Sequence, residues 1–452
     1  MTEGWRDKLV RRAGGGLLPA IAMVAASAAA TRVAATIKDL VVARRFGTSD
    51  ALDAFLIAFA LPVFFAGTFR SAFYSAFVPR FLEVRARRGP DAGTALLAEA
   101  ATPHLLILAG LAGSLALFAS PIIAVVAHGF SDEKRALARA LLVALAPFVV
   151  LDGASGIYTA ALNARGRVVA AALLATIPPL VTLGTVAVLA SRAGAYALVL
   201  GSLAGAVLEA TAAMAAVRAT GVGVLPALSR PGPEAAGVLR GFTILAGGGL
   251  LMSANAVIDQ AMAATAGPGS VAAIGFGAKV PAALVGLAGL ALATTTLPHY
   301  ASLASERRFD EMASGLKRHA TRIALVSAAG AAALALISRP LVRLLFEHGS
   351  FTAADTARVA AIQSLYALQL PGYLVGIVAA RQLNALGRDR AILVVAATNF
   401  VLNAAGNWVF LHWIGVPGIA LSTSLFYSIG AVVLLLTCRK ALREKRRSIV
   451  DS

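Results

Sequence analysis

Ten ionisable residues lie inside long apolar stretches of this sequence, where a charged side chain needs a partner or water. The basic ones are Arg32, Lys38, Arg70, Lys279 and Arg381, and the acidic ones are Asp39, Asp53, Asp152, Glu209 and Asp259. An ionised group in hydrocarbon is costly, so such residues usually pair with one another or line a wet cavity. They are therefore the first candidates for a functional site.

Two interpretations of these charges stay open. Arg32, Lys38, Arg70 and Lys279 together favour a basic cavity, because an anionic substrate in a low-dielectric space needs fixed cations. The alternative is that each charge belongs to a structural ion pair between helices. Lys38 and Asp39 are neighbours that point about 100° apart on a helix, so their position alone does not predict that they pair.

No pattern of residues predicts an enzyme. The six histidines are scattered without metal-ligand spacing, and the sequence contains no phosphate-binding loop and no recognisable catalytic triad. Cys438 is the only cysteine, which excludes an internal disulfide and a cysteine metal cluster. We therefore expect a protein that needs neither a cofactor nor a metal and that is not an enzyme.

The composition predicts an all-α polytopic membrane protein. The 452 residues are 59% hydrophobic and only 14% charged, with a mean hydropathy of +0.80, whereas a soluble domain carries about 25% charged residues. The net charge of +18 could suggest a nucleic-acid partner. The basic residues lie mostly between apolar runs, however, which predicts contacts with membrane lipids and no nucleic acid.

Apolar runs long enough to cross ~30 Å of hydrocarbon recur about twelve times. Most of the lysines and arginines fall in the N-terminal segment, in alternate loops and in the C-terminal tail, which predicts that both termini are cytoplasmic. The predicted spans are 16–42, 51–82, 93–119, 134–163, 167–191, 195–218, 234–265, 270–300, 312–337, 354–386, 389–413 and 416–438.

The two halves of the chain repeat each other at an offset near 220. Pro62 and Pro79 recur as Pro281 and Pro298, and the segment 162–167 (LNARGR) recurs as 383–388 (LNALGR). A tandem duplication of six spans gives two lobes of the same orientation, a parallel repeat typical of alternating-access transporters with a central cavity. The predicted parts are an N-terminal segment (1–15), an N-lobe (16–218), a cytoplasmic linker (219–233), a C-lobe (234–438) and a basic tail (439–452).

The segment from Val42 to Pro79 resembles the N-terminal signature of the MurJ/MviN family. It reads VARRFG at 42–47, DAF at 53–55 and AFVP at 76–79, and the segment FEHGSFT at 346–352 resembles that family's outer-loop motif. Members of the family are lipid II flippases of the MOP transporter superfamily, which also includes the MATE transporters. The resemblance implies a MATE-like fold that moves a lipid-linked saccharide.

The resemblance also assigns site residues. Arg32 falls at the position of the family's first cavity arginine, Lys38-Asp39 replaces an Arg-Asp pair, and Asp53 matches the acid that opens the second helix. Lys279 falls where the family has its second-half arginine. The resemblance therefore implies a substrate-binding cavity formed by Arg32, Lys38, Asp39, Asp53, Arg70 and Lys279, with secondary or gating roles for Asp259, Arg381, Pro62 and Pro281.

The second helix departs from the family pattern. Positions that carry Asn, Arg-Arg and an acidic-Gly step in the family are Val63, Ala66-Gly67 and Ser71-Ala72 here. Arg70 lies one turn beyond Ala66 on the same face, which leads to the hypothesis that it replaces the missing arginine. The family usually has fourteen spans and this sequence twelve, a departure that favours a different polyprenyl-linked glycan as the substrate.

The sequence thus predicts an inner-membrane flippase for lipid II or a related polyprenyl-diphosphate-linked saccharide in cell-envelope synthesis. Its expected partners are that lipid-linked substrate, membrane lipids and other cell-envelope synthesis proteins. The alternatives are a MATE-like drug or cation antiporter, which would need unpaired acids in its cavity, and a flippase for an exopolysaccharide lipid. A scaffold without transport activity would tolerate the loss of all the buried charges.

Overall fold

The described residues of the computed structural model are 17–221, 223, 227 and 231–450, and they form helices and no strand. The predicted N-terminal segment and part of the predicted linker lie outside this range. The helices are α1 (Leu17–Phe46), α2 (Asp50–Arg88), α3 (Pro90–Leu117), α4 (Ala119–Val126), α5 (Asp132–Leu145), α6 (Phe148–Ala164), α7 (Val168–Leu174), α8 (Ile177–Ala193), α9 (Tyr196–Arg218), α10 (Pro233–Ser253), α11 (Asn255–Ala263), α12 (Ser270–Ser305), α13 (Phe309–Phe346), α14 (Ala353–Ala367), α15 (Gln369–Ala385), α16 (Asp389–Ile414) and α17 (Pro417–Val450).

In the described part of the chain, eleven helices or consecutive helix pairs are long and apolar enough to cross a membrane. They coincide with the second to the twelfth predicted spans. The first predicted span is α1, a helix of 30 residues; it is not among the eleven, and it carries Arg32, Lys38 and Asp39. The prediction of an all-α, multi-pass membrane protein is therefore confirmed.

Several spans predicted as single helices are interrupted. The predicted span 134–163 consists of α5 and α6, with Ala146 and Pro147 between them, and the predicted span 354–386 consists of α14 and α15, with Leu368 between them. Pro147 has no N–H to donate to an α-helical ladder, which accounts for the first break. Since 147 and 368 are 221 apart, the two breaks are related by the repeat. A continuous apolar pattern does not reveal them.

The repeated LNAxGR segment is a helix C-terminal cap in both halves. The N–H of Arg167 donates to the carbonyl of Leu162 at 2.9 Å, and the N–H of Arg388 donates to the carbonyl of Leu383 at the same distance. The glycine before each arginine has a positive φ, 77° at Gly166 and 70° at Gly387. This left-handed conformation is the one that glycine adopts without strain at the end of a helix.

The chain divides into two compact units. Unit 1 contains residues 17–46 and 50–253, and unit 2 contains 47–49 and 254–450. The helix α10 belongs to unit 1, where Phe242 packs its ring 5.4 Å from that of Phe69 and 4.7 Å from that of His104. The predicted division into two lobes, with a linker at 219–233, stays a prediction. The two units are defined by compactness alone, and they separate further along the chain, between α10 and α11.

Candidate functional site

Arg70 lies at the centre of a buried charge cluster within unit 1. Its guanidinium donates to Asp152 at 3.0 Å, to Glu209 at 2.7 Å and to the hydroxyl of Thr159 at 3.4 Å. The side chains of Arg70, Asp152 and Glu209 are 27%, 16% and 3% exposed. Counted as ionised groups, the cluster carries one positive and two negative charges, which corresponds to the ion-pair interpretation rather than to a free cation.

Arg70 also lines a pocket in unit 1 with a volume of about 380 Å³. The pocket walls include polar groups that can bind hydroxyls and amides, among them Ser71, Tyr74, Thr159 and Asn163. Because two carboxylates already oppose the charge of Arg70, this pocket is not strongly basic. Its chemistry suits neutral polar groups, such as those of a saccharide, better than a free diphosphate.

The helix α1 carries three of the predicted site residues. Arg32 is exposed, and no described carboxylate forms an ion pair with it. Lys38 and Asp39 form an ion pair at 3.0 Å, which the helical angle between them does not predict. The lysine stem is long and flexible enough to bring its ammonium group round to the adjacent carboxylate.

Asp53 is completely buried, and Lys134 on α5 forms an ion pair with it. The ammonium group of Lys134 donates to Asp53 at 2.7 Å and to Asp50 at 2.5 Å, and it lies 4.0 Å from the centre of the Phe130 ring. Lys134 is only 8% exposed, although it lies at the start of the predicted span 134–163. The arrangement anchors the start of α2 to α5 and leaves neither Asp53 nor Lys134 open to a substrate.

Asp259 on α11 lies in a polar cluster of unit 2. Its carboxylate accepts hydrogen bonds from the amides of Asn407 at 2.6 Å and Asn403 at 3.2 Å, and from the hydroxyl of Thr423 at 3.4 Å. The amide oxygen of Asn407 is buried without a hydrogen-bond partner. Carboxylate and amide oxygens are ligands that hard cations prefer, so this cluster is a place in unit 2 that could hold one.

The remaining predicted residues are found at several places in the two units. Lys279 on α12 is exposed, and Arg381 on α15 is half-buried. Pro62 and Pro281 lie inside the long helices α2 and α12, at repeat-related positions, and both are buried. Among the described residues, the structure shows no group of three or more His, Cys, Asp or Glu side chains that could hold a metal.

The partners of the buried charges were not evident from the sequence. Asp152 and Glu209 are 82 and 139 residues from Arg70, and Asn403, Asn407 and Thr423 were not singled out at all. The four-residue spacing of the two asparagines, which places them on one face of α16, is a signal that could have identified them.

Long apolar helices, buried ion clusters and a duplicated helix order define a multi-pass membrane protein built from two related halves. A solved structure described as "Lipid II flippase MurJ, inward closed conformation" matches 93% of this chain and 89% of its own, with a TM-score of 0.80 and 22% identity. An inward-facing multidrug resistance MATE family transporter of the MOP superfamily matches 92% of this chain and 96% of its own, with a TM-score of 0.76 and 14% identity. These likenesses show the fold.

The sequence comparisons identify the family within this class. The family model described as "Lipid II flippase MurJ" matches residues 42–451. The chain is 28% identical over 373 residues to a probable lipid II flippase MurJ of Rhizobium meliloti, covering 79% of this chain and 68% of that protein. It is 25% identical over 429 residues to the lipid II flippase MurJ of Burkholderia cenocepacia, covering 91% and 81%. The chain belongs to the MurJ family.

Proposed function

We propose that this protein is a flippase that moves lipid II, or a closely related polyprenyl-diphosphate-linked saccharide, across the inner membrane. The observation that carries the proposal is the family match over residues 42–451, which agrees with the fold and the buried charges. A flippase breaks no covalent bond, so the protein acts as a transporter and not as an enzyme.

Arg32, Lys38 and Lys279 are the cations proposed to meet the diphosphate. Arg32 and Lys279 are exposed in the structure, and Lys38 keeps 28% of its side chain exposed beside Asp39. Arg70 has a different proposed role. It holds Asp152 and Glu209 together and shapes a polar wall for the saccharide, while Asp259, Arg381, Pro62 and Pro281 are proposed to act in the conformational cycle.

The proposed topology follows the positive-inside rule, with both termini in the cytoplasm of a bacterial cell. The substrate then enters from the cytoplasmic leaflet and leaves to the outer one. The proposed partners are the lipid-linked substrate, membrane lipids and other proteins of cell-envelope synthesis.

Complementation tests the proposal directly. Cells in which the native lipid II flippase is depleted should survive when they express this chain. Arg32→Ala should abolish rescue, whereas Arg192→Ala, a matched loss of one exposed arginine at the end of α8, should not. If the wild-type chain never rescues but restores surface polysaccharide in a mutant that lacks another lipid-glycan flippase, the substrate is that other glycan.

A MATE-like antiporter is the second candidate, favoured by the TM-score of 0.76 to such a transporter. That activity would need unpaired acids. In the described residues, Asp152 and Glu209 both pair with Arg70, whereas Asp259 accepts hydrogen bonds from three uncharged groups and is the acid that such an antiporter would use. Drug efflux that survives Arg32→Ala and is lost on Asp259→Asn would support the antiporter instead.

A further inference from the structure

Three arginines gather at one end of unit 1. Arg85 lies in the last turn of α2, Arg165 directly follows α6, and Arg167 directly precedes α7. The ends of α2 and α6 are held together in one apolar core that includes Val84 and Leu162. Arg85 and Arg165 are half-buried and Arg167 is exposed.

The three arginines form a cluster with an excess of positive charge. Burial lowers the pKa of Arg165, and the positive charges of Arg85 and Arg167 lower it further. In the described part of the chain, no carboxylate forms an ion pair with any of the three. The guanidinium group of Arg165 donates to the carbonyl of Thr220 at 2.9 Å. Like charges held close together destabilise a protein unless an anion binds between them.

The nearby acids are already engaged by other arginines. Glu83 pairs with Arg80 and Arg87, and Glu234 pairs with Arg80 and Arg88. These two carboxylates therefore neutralise other arginines of α2 and not Arg85. The attraction of the helix dipole for arginines at the ends of α2 and α6 is weak, and it does not remove their repulsion for one another.

The duplicated half of the chain provides an internal comparison. The same backbone cap holds Arg167 in unit 1 and Arg388 in unit 2. In unit 2 the arginine forms an ion pair with Glu444, and the position that corresponds to Arg165 is Leu386. The same loop is therefore neutralised within the protein in one unit and left with excess positive charge in the other.

We propose that Arg85, Arg165 and Arg167 form a binding site for the phosphate of a membrane lipid in the cytoplasmic leaflet. Guanidinium groups bind phosphate oxygens through paired N–H donors. The cluster lies at the ends of spans long and apolar enough to cross a membrane, which is where lipid head groups are expected. The phosphate can come from an anionic phospholipid or from a polyprenyl diphosphate. The second source rests on the proposed function, while the first does not.

The polyprenyl source gains support from the pocket in unit 1. Asn163 and Val168 line that pocket, and they flank the segment that carries Arg165 and Arg167. The arginines proposed to hold the lipid phosphate are therefore close in sequence to residues that line the same pocket as Ser71 and Tyr74.

Lipid binding to the purified full-length protein tests the site. Native mass spectrometry would give the affinities for phosphatidylglycerol, a polyprenyl diphosphate and phosphatidylcholine as the neutral reference. The variant is Arg85→Gln with Arg167→Gln, which leaves the hydrogen bond of Arg165 in place. The matched control is Arg388→Gln with Arg439→Gln, which removes the same charge from unit 2. Size-exclusion profiles and melting temperatures verify folding, and Arg167→Gln alone serves if the double variant is unstable.

Each basic side chain at an anionic lipid surface contributes roughly a fivefold gain in affinity. We expect the double variant to bind an anionic lipid roughly twenty-five-fold more weakly, with the control within about threefold of the wild type. A loss confined to phosphatidylglycerol identifies a phospholipid site, and a loss confined to the polyprenyl diphosphate identifies a substrate site. Unchanged binding of both lipids, an equal loss in the control, or an equal loss of phosphatidylcholine overturns the proposal. If the chain neither rescues the lipid II flippase depletion nor restores surface polysaccharide, while lipid binding is retained, the flippase function alone is refuted.

Discussion

Replacing Arg70 by methionine should destabilise unit 1, because it leaves two carboxylates facing each other. Asp152 and Glu209 are 16% and 3% exposed and both depend on Arg70 for a counter-charge. Removal of one partner from a buried ion pair costs about 3–5 kcal/mol. Since Arg70 itself is 27% exposed, we expect the lower end, about 3 kcal/mol. For a unit of this size, that loss lowers the melting temperature by roughly 6–12 °C.

The effect should be asymmetric within the cluster. Glu209→Gln brings the formal charge of the cluster from −1 to zero and keeps an oxygen that accepts from Arg70, so its effect should stay within about 1 kcal/mol. Arg70→Met combined with Glu209→Gln removes one of the two stranded charges. It should recover about 1–2 kcal/mol relative to Arg70→Met alone, as expected for residues in direct contact.

Thermal unfolding in a fixed detergent, followed by tryptophan fluorescence, measures all three variants. Arg192→Met is the control, an exposed arginine whose loss should change stability by no more than about 0.5 kcal/mol. Equal destabilisation by Glu209→Gln and Arg70→Met, or strict additivity in the double variant, would refute the charge-cluster interpretation. Complementation by the partly rescued double variant then separates a role of Arg70 in folding from one in substrate binding.

Other predictions concern three further positions. Lys134→Met should lower stability by about 3 kcal/mol, because it strands the buried carboxylate of Asp53; adding Asp53→Asn should restore part of the melting temperature, and no recovery would contradict the pairing. Gly47 has a φ of +54°, and a Cβ there would lie 2.3 Å from the carbonyl oxygen of Ser350, so Gly47→Ala should reduce the yield of folded protein in size-exclusion chromatography, and an unchanged yield would show that the turn can relax. Asp259→Asn replaces an acceptor of three hydrogen bonds by a group that also donates, and it should lower stability by about 1–2 kcal/mol; a melting temperature equal to that of the wild type would argue against this network.

The sequence predicted the helices well, because apolar length and the distribution of arginines report directly on the membrane. It also revealed the repeat of segment 162–167 as 383–388, where the structure then shows the same helix cap twice. Which buried charges form ion pairs with each other was harder to predict from the sequence. Arg70 meets Glu209 only through the packing of α2 against α6 and of α6 against α9, and the burial of Lys134 depends on where α5 docks.

Lys38 and Asp39 show a second limit of prediction from the sequence, which concerns side-chain conformation. The helical angle between two Cβ atoms is fixed by the backbone, but a four-carbon side chain spans more distance than that angle suggests. Their ion pair at 3.0 Å is set by rotamers, which periodicity does not describe. Short side chains such as Asn403 and Asn407 follow the helical geometry more closely, and their shared face agrees with the contact that both make with Asp259.

The cap shared by the LNAxGR segments separates the shape of a loop from its surface chemistry. Its hydrogen bonds join backbone atoms, so the turn needs its glycine but does not depend on the side chains at the positions of Arg165 and Arg167. Each unit therefore carries a loop whose surface can diversify after duplication while the helices around it stay in place. These two turns are also suitable attachment points for a fluorophore or a binding tag, with the unit 2 copy as the place to try first.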